Sequence, residues 1–387
     1  MRNGVKIYDA DTHVRPSAEA IRPYLSKLVL ERIPDLDEHR EEVLVGMAGE
    51  KRQAPYRHRY RFGKREGWSK SKPRFLGEPG PRENAKREFQ TFMGVRFPTE
   101  GGGDHDSAAR LRDMDTEGVD VHFIVHSGGT GHPEPELEME FIYAEHRYLN
   151  DFCNRDPHRL KSCLTVTPNS VEGSVAEIKR WGSQPWVVAV HPKLPIDYPL
   201  DHPDLHPIWA AAQEQGLSVI HHSLSSGYPG YRDMWSNPFL GRCASHPWAA
   251  MRAVGAFFGG GLMDRFPELR YGVLESGFGW LPFWTKRMDD QVVYLGYVAE
   301  NLQCKMSEYV TGGRFFAAIE QHEGPEMAKI VNDLMGDHLL MFGSDYPHAE
   351  SRFPESADRV LAWENVVGPD PMRKMMWDNA VRFFGEP

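Results

Sequence analysis

Cysteine is scarce and scattered. The four thiols, Cys153, Cys163, Cys243 and Cys304, form no CxxC pair. That spacing argues against a structural zinc knot and against a disulfide framework, and reduced thiols in a cytoplasm are the expectation. Long apolar runs are missing too. With no stretch of about 18 apolar residues, no transmembrane helix and no membrane partner are expected. The N-terminal MRNGVKIYDADTH lacks the apolar segment of a secretory signal. Positive charge is not in excess: the formal net charge is -10, which removes the usual basis for a nucleic-acid partner. No GxGxxG follows the first predicted strand, so a dinucleotide fold loses its main support.

What is present is an apolar share of 40% spread over 387 residues, enough for a large single core. Eight short apolar runs read as buried parallel strands: Val5 to Asp9, Val119 to Val125, Cys163 to Pro168, Val187 to Pro195, Leu217 to Ser223, Tyr271 to Ser276, Phe315 to Glu320 and Leu339 to Asp345. Segments of helical period lie between them. ARLRDMDTEG stops at Gly118, Pro203 to Gln215 stops at Gly216, and Pro247 to Phe266 ends before Pro267. Alternating strands and helices imply a parallel sheet with right-handed crossovers. About eight such units suit a (β/α)₈ TIM barrel, which can reach this length with insertions. One region, 21–106, breaks the pattern. It is polar and rich in Arg, Lys, Gly and Pro, as in KRQAPYRHRYRFGKREGWSKSKPRF. Lying between the first two strands, it reads either as an insertion or lid on the catalytic face or as a solvated or oligomer-contact loop. The expectation is one domain over 1–387.

Polar residues recur where the strands end: Asp11 and His13, His191, His221 and His222, Glu275, Asp345. Barrel active sites are built at these ends, and buried charges are costly unless paired or metal-bound. Asp11 and His13, two apart on a strand, share one face and offer a carboxylate and an imidazole to a divalent metal; alone, DxH is also a surface turn. Adjacent strand residues face opposite ways, so one of His221 and His222 points into the mouth. His221 is favoured as the ligand, with His222 behind it or contacting substrate; the reverse stays open. Asp345 can ligate metal, act as general acid/base, or merely cap a helix. Glu275 is a catalytic candidate or half of an ion pair with Arg287. His191 is a second catalytic candidate. Lys193, His246 and Trp280 are substrate-binding candidates, though Lys193 fits a solvated face and Trp280 fits barrel packing.

DADTH at Asp9 to His13, SVIHHS, NDFCNRDPHRLK at Asn150 to Lys161, GGGLMDRFPELRYGVLESGFGWLPFW, LLMFGSDYPH and DNAVRFFG together resemble the amidohydrolase-related group that includes aminocarboxymuconate-semialdehyde decarboxylase and γ-resorcylate decarboxylase. MSEYVTGGRFFAAIE matches in part. The resemblance covers the first strand and most of the chain from Asp106 onward, and leaves the basic insertion unexplained. It implies Asp11, His13, His221 and Asp345 as ligands of a single divalent metal, zinc first, with manganese or iron also compatible. Where several decarboxylases of the group carry a catalytic histidine after the sixth strand, this chain has Glu275. The bridging lysine of binuclear relatives has no match. The implied activity is non-oxidative decarboxylation of an aromatic or unsaturated acid. Metal-dependent hydrolysis of an amide, ester or lactone is the alternative, and a non-catalytic binding barrel the third. An anionic aromatic small molecule is the expected partner, and self-association into a dimer or tetramer is an expectation from the resemblance.

Overall fold

The computed structural model describes residues 1–42, 44–45, 50–51, 58–62, 106–126, 130, 132–195, 198–223, 238–296, 302–348 and 351–387. Eight parallel strands form one sheet in chain order. The barrel strands are β1 (Tyr8–Val14), β2 (Val121–His126), β3 (Leu160–Val166), β4 (Val187–Pro192), β5 (Ser218–His222), β6 (Tyr271–Leu274), β7 (Phe315–Ala318) and β8 (Leu340–Met341). All eight predicted runs are strands. The ladder of β8 is short because residues 342–345 leave it and turn onto β1. Ala10 N donates to Phe342 O at 2.8 Å, Asp345 N to Asp11 O at 2.9 Å, and His13 N to Tyr346 O at 2.6 Å. These bonds join last strand to first and close the barrel.

Two apolar layers follow from strand alternation. Tyr8, Ala10, Phe123, Ile220, Leu274 and Phe316 fill the interior, while Ile7, Ile124, Val219, Val273 and Phe315 pack against the helices. The floor is plugged by the C-terminal helix Asn379–Phe384, whose Ala380, Phe383 and Phe384 belong to the interior set. The helix predicted to stop at Gly118 runs Ser107–Glu117, and Gly118 adopts the left-handed φ of 81° that a closing glycine permits. The helix expected to start at Pro247 instead runs Pro238–Gly259 with Pro247 inside it. Pro247 therefore does not mark its start, and His246 sits mid-helix. Of region 21–106, most lies outside the described residues, including nearly all of the basic stretch. Its described part pairs Arg40–Glu42 with His58–Tyr60 and lays Phe62 5.1 Å from Phe141 of the helix Pro135–Cys153. Among the described residues no helix is long and apolar enough to cross a membrane.

Candidate metal centre

Asp11 and His13 reach the barrel mouth through a β-bulge. In β1, Asp9 pairs with His122 and Thr12 with Ile124, so Ala10 and Asp11 together oppose Phe123. Tyr8 and Ala10 face inward below the bulge; above it the phase shifts and His13 pairs with the inward Val125. One extra residue re-aims a strand in this way. Without it, Asp11 and His13 would face the helices.

On β5 the same alternation turns His222 inward. It follows the inward Ile220 by two residues, whereas His221 follows Val219 on the helix-facing side. His222 Nε2 lies 3.5 Å from Asp11 Oδ1 and 3.0 Å from Glu275 Oε2. The sequence favoured His221 because it extends the apolar run, but a run carries no parity until the barrel fixes which face is inside.

Glu275 and Asp345 both hold a left-handed backbone, with φ of 45° and 59°. Non-glycine residues rarely adopt it, and such strain gathers at functional sites. The turn after Glu275 is held by Glu323, whose carboxylate accepts from Phe278 N and Gly279 N at 2.9 Å each. Gly277 is required there: its φ is 67°, and a Cβ would sit 2.5 Å from Glu323 Oε1.

Five buried side chains thus converge. His13 Nε2 is 3.3 Å from Asp11 Oδ1, 3.0 Å from Asp345 Oδ1 and 3.9 Å from Glu275 Oε2. His348, which the sequence reading did not single out, completes the group. Its Nδ1 is 2.7 Å from Asp345 Oδ1 and its ring stacks on His13 at 4.0 Å. The available signal was a histidine three residues beyond Asp345 in the same motif. The donor spacing fits a cation. Ligands about 2.0–2.2 Å from one ion stand about 3.0–3.5 Å from each other, and four of these contacts fall at 3.0–3.5 Å. Asp11 Oδ1 and His13 Nε2 are buried and meet without hydrogen-bond geometry, as atoms directed at a common ion would.

The electrostatics agree. Burial pulls His13 down, but Asp11 and Asp345 outweigh it and hold the imidazolium up to about 9. Burial acts on His222 likewise, and Glu275 with Asp11 raises it well above the usual range. Burial pushes every carboxyl up. His222 overcomes this for Asp11 and Glu275, which end below the ordinary range; for Asp345 burial wins and it stays raised. Three clustered carboxyls demand positive charge, and metal binding to such a set competes with protons.

The remaining candidates lie as follows. His191 is buried, its ring 6.1 Å from that of His222, with neither nitrogen hydrogen-bonded. His246 Nδ1 is 3.8 Å from Glu275 Oε1, so Glu275 pairs with histidines rather than with Arg287. Lys193 Nζ is bound to Glu138 at 2.8 Å. Trp280 donates to Ser276 O and Gly277 O and packs in the helix-facing core. A cavity of about 1000 Å³ opens beside the cluster, lined among others by His246, Glu275, Gln321, Asp345, Arg352 and Trp363.

A family model described as Amidohydrolase matches residues 105–385. Among solved structures, the fold is similar to an amidohydrolase from Mycobacterium avium subsp. paratuberculosis K-10, with a TM-score of 0.72 and 16% identity over 99% of this chain and 98% of that one. It is similar to 5-carboxyvanillate decarboxylase from Novosphingobium aromaticivorans with bound manganese and 3-methoxy-4-hydroxy-5-nitrobenzoic acid, with a TM-score of 0.65 and 18% identity over 99% and 98%. It is also similar to 2,6-dihydroxybenzoate decarboxylase from Rhizobium, with a TM-score of 0.59 and 16% identity over 71% and 87%. At such identities these are likenesses of fold.

Proposed function

This chain belongs to the amidohydrolase family and is an enzyme of that superfamily, and from that premise we propose that it is a metal-dependent decarboxylase of an aromatic or unsaturated carboxylic acid. The observation that carries the reading is the meeting at His13 of two donor sets, Asp11 with His222 and Glu275 with Asp345 and His348, at the edge of a cavity large enough for such an acid. Asp11, His13, His222 and Asp345 would hold one divalent ion, with Glu275 adjoining. His222 replaces His221 in this assignment because His222 stands 3.5 Å from Asp11. Three carboxyls and two imidazoles suit manganese or iron as well as zinc, and the manganese of one structural relative supports that range.

When bound, a divalent ion held by these residues would supply Lewis-acid chemistry to the acid substrate. The chain's own residues do the rest. Asp345, ligand and general acid in turn, would deliver the proton that replaces the carboxyl group, and His348 Nδ1 lies 2.7 Å from its Oδ1. As the C–C bond breaks, its electron pair stays on the ring or alkene carbon, that carbon takes the proton, and CO₂ leaves. Arg352 lines the cavity and could meet a second anionic group, while Lys193 is bound to Glu138. The arginines of the insertion's basic stretch lie largely outside the described residues. The region 21–106, for which lid and surface loop both stand as readings, lies mostly outside the described residues, and the family match begins at its end.

A hydrolase is the second reading, favoured by Glu275. A buried carboxylate stands at the sixth strand, 3.0 Å from His222, where it could serve as base toward a water. Metal analysis followed by a panel of hydroxybenzoates, unsaturated acids and lactones in D₂O and H₂¹⁸O decides. Decarboxylation releases one CO₂ per substrate and places deuterium on the former carboxyl carbon. Incorporation of ¹⁸O into a new acid or alcohol, with no CO₂, would overturn it in favour of hydrolysis.

A further inference from the structure

Behind the donor cluster lies a group of buried side chains that the proposed chemistry does not use. Arg110, on the helix Ser107–Glu117, is fully buried, as are Asp113, His122 and Tyr346 to within 2% exposure. A guanidinium cannot shed its charge, so burying one is costly unless its donors are met. Here they are met by the backbone of the site. Arg110 Nη2 donates to the carbonyl of His13, and Nη1 lies 3.5 Å from His122 Nδ1. The guanidinium stacks over the Tyr346 ring at 4.6 Å. Tyr346 OH in turn donates to Asp113 Oδ2 at 2.5 Å, one turn along the same helix. Tyr346 directly follows Asp345, and its own carbonyl accepts from His13 N at 2.6 Å. The residue that carries one donor and the residue beside the other are therefore gripped by a single helix.

We propose that Arg110, with Tyr346 and Asp113, is a positioning clamp that sets the distance between the β1 donor His13 and the β8 donor Asp345. The inference rests on the metal-site reading given above. β1 and the 342–345 segment meet at the barrel's closing seam, where the β8 ladder has ended and three backbone hydrogen bonds with one isolated bridge, Thr12 to Tyr346, are what the main chain offers to hold the two donors in step. Arg110 and Tyr346 reinforce that short seam through side chains packed behind it. A planar fork that bonds a carbonyl while stacking on a ring fixes direction as well as distance, and a lysine ammonium cannot do both. Supporting residues of this kind commonly change metal affinity by about 10–100-fold when altered.

The test is titration of the metal-stripped full chain with Co²⁺ alone, reading the dissociation constant and the visible absorption of the bound ion. Wild type is compared with Arg110→Lys, Tyr346→Phe, their double variant and His13→Ala. Arg110→Lys is expected to bind Co²⁺ about 10–100-fold more weakly with a shifted spectrum. Tyr346→Phe should weaken it several-fold, and the double variant should lose less than the product of the two, because both act through one clamp. If the folded Arg110→Lys and Tyr346→Phe proteins match wild type in affinity and spectrum while His13→Ala binds nothing, the clamp is refuted and the metal site stands. If His13→Ala binds like wild type, the metal-site reading itself fails. Should Arg110→Lys not fold, Tyr346→Phe decides alone: wild-type affinity and spectrum refute the clamp. A lower melting temperature with unchanged Co²⁺ binding counts against it, since that marks a merely structural role.

Discussion

Two neighbouring histidines on β5 face different surroundings, and their substitution separates site from scaffold. His222 stands among Asp11 and Glu275, which raise it well above the usual histidine range despite burial. Burial, with His222 and His246 nearby, pushes His221 down to about 3, so it is neutral at working pH. On the proposed metal site, His222→Ala would remove a ligand atom and should leave the purified protein without stoichiometric metal. Its activity loss should exceed the roughly 10–100-fold cost of losing a supporting residue. His221→Ala should retain metal while unfolding more easily, by about 1–3 kcal/mol. Metal analysis paired with urea denaturation reads both quantities on the same samples. Retained metal in His222→Ala, with loss in His221→Ala, would restore the assignment that the sequence favoured.

At the scale of elements, the helix Ser107–Glu117 does two jobs: it carries Arg110, and it ends in a carboxyl that secures another helix. Ser356 N, at the start of the helix Ser356–Leu361, donates to Glu117 Oε1 at 2.8 Å. Burial pushes Glu117 up to about 7, against which the bonds from Ser356 and Ala357 act only in part. Between about 4.5 and 7 the folded chain therefore holds a proton that the unfolded chain has released. Stability from this group is full below about 4.5, declines as pH rises through that window, and is flat above about 7, for a total of up to about 3 kcal/mol. Glu117→Gln should lack that slope, so the difference between variant and wild-type stability from urea denaturation should change with pH between about 4.5 and 7 and be flat on either side. Parallel pH profiles would show that the carboxyl is ionised throughout. The same elements mark what was legible in the sequence. All eight barrel strands were, because a strand covered on both faces must be a short apolar run. So were the polar residues at their ends. The phase of each strand was not. It took the bulge to turn Asp11 and His13 inward and the barrel's register to choose His222 over His221. His348 left only its place three residues beyond Asp345 as a signal, and Arg110 left none: one sits in a turn and the other on a helix, and neither interrupts an apolar pattern.

Over the whole molecule, chemistry and stability occupy opposite ends of the barrel, as the architecture favours. The donors sit where the strands finish. The floor is sealed where they begin, by Phe383 and Phe384. Phe384 stacks on Phe123 at 4.2 Å and on Tyr8 at 5.6 Å, and Phe383 lies 5.1 Å from Phe316. Ser218 Oγ, at the start of β5, donates to the Phe383 carbonyl. The fit against β6 is close enough that a Cβ on Gly272 would come 2.5 Å from the Phe383 ring, so the glycine is what lets the plug seat. Phe383→Ala empties a fully buried ring from a tapered space that the rigid strands cannot collapse to fill, and the expected loss is about 3–5 kcal/mol. Because the whole depth of the barrel separates this ring from the donors, the folded variant should bind divalent metal as wild type does. Denaturation of the metal-free protein and metal titration under native conditions test the two halves of the claim. If affinity fell in step with stability, floor and mouth would be one mechanical unit, and the division of labour argued here would be wrong.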